Sequence, residues 1–89
     1  MPKFSVSGAA QSDLRSISRY TIERWGADQA IKYAQDLDAC FQTLAGNPEM
    51  GRACDAIGPG LRRHEPGRHV VFYRLKPGGI LILRVLHQR

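Results

Sequence analysis

The stretch HVVFYRLKPGGILILRVLH, residues 69–87, carries most of the architecture. His69 to Leu75 is dense in β-branched and aromatic residues, the composition of a strand. Lys76-Pro77-Gly78-Gly79 supplies turn chemistry, because proline presets φ and glycine tolerates positive φ. Ile80 to His87 is a second apolar run, and two strands joined by a tight turn are antiparallel neighbours. Side chains alternate along a strand. Val70 and Phe72 therefore oppose Val71, Tyr73 and Leu75, while Ile80, Ile82 and Leu86 oppose Leu81, Leu83 and Val85. Both faces are apolar, and strands of that kind are normally covered on both sides.

Upstream, Leu61 to Glu65 is a short, charged strand, set off from His69 by the turn pair Pro66-Gly67. Residues 47–60 read as a loop punctuated by Pro48, Gly51, Gly58, Pro59 and Gly60. Near the start, Lys3 to Ser7 alternates, with Phe4 and Val6 on one side, and predicts a further strand. Ser7 is a candidate N-cap for a helix whose stripe is Ala10, Leu14, Ile17 and Thr21, stopped by Gly26. Asp28 is a candidate N-cap for a second helix carrying Ala30, Ala34, Leu37, Phe41 and Leu44, ended by Gly46 and Asn47-Pro48.

So short a link makes the helices an antiparallel hairpin. The predicted order is β-α-α-β-β-β, an α+β domain over residues 1–89 with the hairpin on one face of a mainly antiparallel sheet. One helical hairpin covers one face. The second face must meet the loop, a further tail, another copy or a partner, and an exposed apolar patch usually marks an interaction site.

Eighty-nine residues allow a single core. The longest uncharged apolar run, Gly78 to Leu83, is far too short to cross a bilayer, and MPKFSVSGAA lacks the apolar core of a signal peptide. Cys40 and Cys54 form no framework, so free thiols in a reducing cytoplasm are expected. The net charge of +5 is uneven: residues 1–46 hold five basic and five acidic residues, and residues 47–89 hold eight basic and three acidic. A basic half favours an acidic partner, either nucleic acid or an acidic protein segment.

No metal-ligand spacing joins the histidines and cysteines, Gly78-Gly79 precedes no helix, and no cofactor is expected. His64 and His69 read as exposed residues flanking a turn. Trp25 reads as an anchor for the turn between the helices, with Tyr20 and Tyr33 packed between them. His87 reads as a strand-end ring bonded to backbone or chain terminus. Arg84, placed among Ile80, Ile82 and Leu86, must reach the rim or meet a carboxylate, because an unpaired guanidinium is costly to bury. That carboxylate could be internal or a partner's.

Four blocks then resemble one family: DLRSISRYTIERWG (residues 13–26), AGNPEMGR (45–52), GLRRHEPGRHVVFYR (60–74) and RVLHQR (84–89). In order and spacing they are similar to the ParE branch of the RelE/ParE toxin superfamily. Members commonly continue several residues past the final histidine, often with an acidic residue, so a further tail is expected. The resemblance implies a bacterial, cytoplasmic toxin of a type II toxin–antitoxin system. It implies poisoning of DNA gyrase, and neutralisation by a ParD-like antitoxin whose acidic C-terminal segment folds over the toxin in a hetero-oligomer. Sequence-specific nucleic-acid binding is not expected.

The candidate antitoxin contacts are Arg84, Leu86, Val71, Tyr73, Ile80 and Ile82; the candidate gyrase contacts are Arg62, Arg63, Arg68 and Arg74. The same superfamily supplies an alternative, a RelE-like ribosome-dependent endoribonuclease. Arg62 and Arg84 would then hold phosphate and His87 would move the proton, with Glu65 and His64 as further bases. Alternation sends Arg84 and His87 to opposite sides unless a bulge intervenes. A structural or adaptor protein without toxicity is the third class.

Overall fold

The computed structural model describes residues 3–87. Strand β1 (Lys3–Val6) leads into helix α1 (Gly8–Trp25) and helix α2 (Ala27–Gly46). A 3-10 turn (Pro48–Met50) follows, then β2 (Arg52–Ala53), β3 (Arg62–His64), β4 (His69–Lys76) and β5 (Gly79–His87). The sheet order is β1-β5-β4-β3-β2, with β1 parallel to β5 and the other pairs antiparallel. The predicted α+β order therefore stands, with one addition: the two residues of β2, inside the segment read as loop, extend the sheet.

Local chemistry accounts for the element ends. Ser7 is extended (φ −65°, ψ 163°), and its hydroxyl accepts from the Ala10 amide, capping α1. Gly26, at φ 92°, alone separates the helices. It takes the place expected for Asp28, which sits in the first turn of α2, where its carboxylate favours the positive end of the helix dipole. Between β4 and β5, Lys76 pairs with Gly79 across Pro77-Gly78, and Gly78 holds φ 81°, as a type II turn requires at its third position. The Pro66-Gly67 segment is a wider bend, not a tight turn, because pairing stops at His64 and Val71.

The core lies between the hairpin and one face of the sheet. Ala10, Leu37, Phe41 and Leu44 pack with Val71, Tyr73, Ile80, Ile82 and Val85. Phe4 meets Phe41 edge to face at 5.4 Å. Tyr73 is fully buried; its hydroxyl donates to the Pro48 carbonyl (2.5 Å) and accepts from the Gly51 amide (2.9 Å), clamping the segment after α2 to β4. Only glycine fits there, since a Cβ at position 51 would stand 2.2 Å from that hydroxyl. Packing is looser beside β1, where a cavity of about 240 Å3 is lined by Phe4, Val6, Leu14, Ile17 and their neighbours. Cys40 and Cys54 are both free.

One irregularity redistributes the β5 side chains. Phe72 pairs with Arg84, but the next residue, Tyr73, pairs with Ile82, so Leu83 is an extra residue, a β-bulge. Unbroken alternation would have put Arg84 inside with Ile80 and Ile82, and Val85 outside. The bulge reverses both. Val85 is 2% exposed, a gain of about 1.5–3 kcal/mol over leaving it in water. The guanidinium escapes a burial that would cost several kcal/mol.

Candidate functional site

Across the sheet from the helices lies a second face. Val70, Phe72 and Arg74 of β4 share it with Leu81, Arg84 and Leu86 of β5, as their register and alternation require. Phe72, Leu81 and Leu83 are half-buried, and Leu86 is 38% exposed. Basic groups border this strip. Arg63 lies over the Phe72 ring, 5.8 Å from its centroid, and pairs with Glu65 at 3.0 Å. Glu65 also bonds Arg52, and these two arginines, Arg52 foremost, hold its carboxyl below the usual range. Arg74 is exposed. The result is an apolar band with a cationic rim, a surface suited to an acidic, amphipathic segment.

The assignment of residues to the two faces needs correction. Val71, Tyr73, Ile80 and Ile82, taken as antitoxin contacts, are each 0% exposed beneath the helices and offer no surface to a partner in this fold. Arg84 and Leu86 remain accessible. Leu86 lies on the open face opposite Val70, not with Ile80 and Ile82, because the bulge precedes it. Phe72, Leu81 and Leu83 replace the buried four as the accessible apolar side chains.

Arg84 has an internal partner. Its Nε and Nη2 donate to Asp13 of α1 at 2.8 and 2.9 Å, and Asp13 Oδ2 also accepts from the Val85 amide at 2.9 Å. The Arg84 hydrogen bonds first, with the Val85 amide in support, hold the Asp13 carboxyl below its usual range against an opposing effect of burial. Beyond Val6, β1 has turned away into α1, and side chains take over its role at the β5 edge. The Ser7 amide and hydroxyl donate to the Ile82 and Leu83 carbonyls (both 2.9 Å), and Asp13 receives the Val85 amide. The signal was present: Asp13 stands three residues after Ala10 and four before Ile17, on the core-facing stripe of α1.

The residues of the alternative catalytic reading do not converge. Arg62 pairs with Tyr73 on the helix side, donating to the Gly51 carbonyl (3.0 Å) and the Glu49 carbonyl (3.4 Å). Arg84 is committed to Asp13 at the free edge of β5. His87 turns toward the helices and meets His69 edge to face at 5.3 Å. A chain-terminus partner for His87 lies outside the described residues. His64 is half-buried on β3, and Glu65 is engaged by Arg52 and Arg63. The gyrase candidates also separate. Arg62 is tied down, Arg63 covers Phe72, Arg74 stands on the open face, and Arg68 is in the exposed bend before β4.

That bend closes a further feature. His69 is 8% exposed, not the turn residue expected, and its Nδ1 is hydrogen-bonded to the Tyr33 hydroxyl. Burial first, then the nearby His87 and Arg68, push its pKa down. Tyr20 and Trp25, expected to be packed, are 50% and 59% exposed beside it. Among the described residues no group of three or more His, Cys, Asp or Glu side chains could hold a metal ion, and no helix is long and apolar enough to cross a membrane.

Known proteins place the chain. Residues 4–89 match the family model described as ParE toxin of type II toxin-antitoxin system, parDE. Over 88 residues the chain is 44% identical to Toxin ParE1 of Mycobacterium tuberculosis, an alignment covering 98% of this chain and 90% of that protein. It is 41% identical over 88 residues to Toxin ParE1 of Caulobacter vibrioides, covering 99% and 91%. It is 31% identical over 90 residues to Toxin ParE of Escherichia coli, covering 100% and 87%. A solved structure titled "Chromosomal ParDE TA system from P. aeruginosa" shares the fold, with a TM-score of 0.81 at 24% identity over 100% of this chain and 98% of that one. The apolar sheet face, the helical hairpin and the four sequence blocks therefore belong to a member of the ParE toxin family of type II toxin–antitoxin systems.

Proposed function

We propose that this toxin acts in the bacterial cytoplasm by binding and poisoning DNA gyrase. A ParD-like antitoxin neutralises it by folding an acidic C-terminal segment over the open sheet face. The observation that carries the second half is the band of Phe72, Leu81, Leu83 and Leu86 bordered by Arg63, Arg74 and Arg84. A disordered acidic segment that orders on this band would gain apolar burial and charge complementarity together, offsetting the entropy lost on folding. Family membership supports gyrase as the target, and the dispersal of Arg62, Arg84 and His87 supports action by binding over RNA cleavage.

Purified toxin should inhibit gyrase supercoiling and trap cleaved DNA, and adding the antitoxin should reverse both. Folded toxin that leaves gyrase untouched but cuts mRNA on the ribosome would overturn the proposal.

A further inference from the structure

We propose that the cleft at the turn of the helical hairpin is the contact surface for the toxin's target protein. It takes an acidic segment of that target, anchored by an aromatic or large aliphatic side chain. Naming the target as gyrase rests on the function proposed above; the placement of the surface rests on the following geometry.

The cleft encloses about 520 Å3. Tyr20 and Trp25 of α1, Tyr33 of α2, Arg68 of the bend, and His69 and His87 at the strand ends line it. Tryptophan, tyrosine and arginine are the residue types that most often dominate binding energy at protein interfaces. Here a tryptophan, two tyrosines and an arginine stand at a single opening, with both α1 rings half-exposed or more. The floor is already ordered, because Tyr33 is bonded to His69 and His69 meets His87 edge to face. A preformed site loses less entropy when a partner docks.

Charge selects the occupant. No carboxylate is among the residues lining the cleft, whereas the Arg68 guanidinium is. Arg24 adds to this at the rim, its guanidinium 5.4 Å from the Tyr20 ring centroid. A basic partner would be repelled and a purely apolar one would strand the Arg68 charge.

Position separates this surface from the antitoxin band. His69 and His87 turn toward the helices, while their neighbours Val70 and Leu86 turn to the open face. The two surfaces are on opposite sides of the sheet, so each can be disabled without touching the other.

Trp25→Ala and Arg68→Glu, each in the full chain, test this. Gyrase supercoiling, antitoxin affinity and melting temperature are measured for both. The expected result is about a tenfold or greater rise in the toxin concentration needed for half-inhibition, with antitoxin affinity and melting temperature unchanged. Arg68 lies in an exposed bend, so its variant reports on the cleft even where Trp25→Ala fails to fold. Variants that inhibit gyrase as well as wild type overturn the inference alone. Parallel loss of antitoxin binding by a folded variant also overturns it, assigning the cleft to the antitoxin. Wild-type toxin that does not inhibit gyrase overturns the proposed function, and this target contact with it.

Discussion

Asp13 accepts hydrogen bonds from the Arg84 guanidinium and from the Val85 amide at once, at the edge where β1 leaves the sheet. Removing its carboxylate strands a backbone donor as well as a charge. Asp13→Ala should therefore cost about 1–2 kcal/mol at neutral pH, read as a lower urea midpoint. The cost has a defined pH dependence. The Asp13 pKa is lowered in the fold, so its contribution is complete above the unfolded value of about 3.9. It is lost as pH falls through the lower folded value. The gap between wild type and Asp13→Ala should close in that acid range; a gap that stays constant would contradict the pairing. An acid on the apolar stripe of α1 is visible in the sequence. Its partner was not, because the distance between Asp13 and Arg84 along the chain carries no information about the β5 edge.

The strands were legible from β-branched runs and turn residues, and the helices from their stripes and glycine stops. Two elements escaped for physical reasons. β2 has only two residues, both exposed, too few to show a period. The bulge at Leu83 leaves no mark in composition, yet it reverses the facing of every residue after it. Val85 and Leu86 exchanged faces relative to simple alternation for that reason alone. The consequence is testable. Without Leu83, Ile82 and Arg84 become consecutive, and Ile82 and Val85 both still point inward. Deleting Leu83 should leave a cooperatively folded protein, weaker by about 1–2 kcal/mol for the lost Ser7 contact and local packing. Collapse of the fold in circular dichroism and urea titration would show that the register is not the one described.

At the scale of the molecule, a hairpin of two helices seals one face of a five-stranded sheet and leaves the other as an apolar band with a basic border. That imbalance was readable from the sequence, since HVVFYRL and ILILRVLH are greasy on both sides and residues 47–89 hold the excess charge. Which side chains lie outward was not readable, because the bulge decides it. The antitoxin complex should be strengthened by apolar contact and steered by charge, and only the second is screened by salt. The most direct measurement is the affinity of the antitoxin for the double variant Phe72→Glu/Leu81→Glu by titration calorimetry, with melting temperature as the control for folding. The account predicts a loss of about a hundredfold or more with the melting temperature retained. Wild-type affinity in that variant would contradict it.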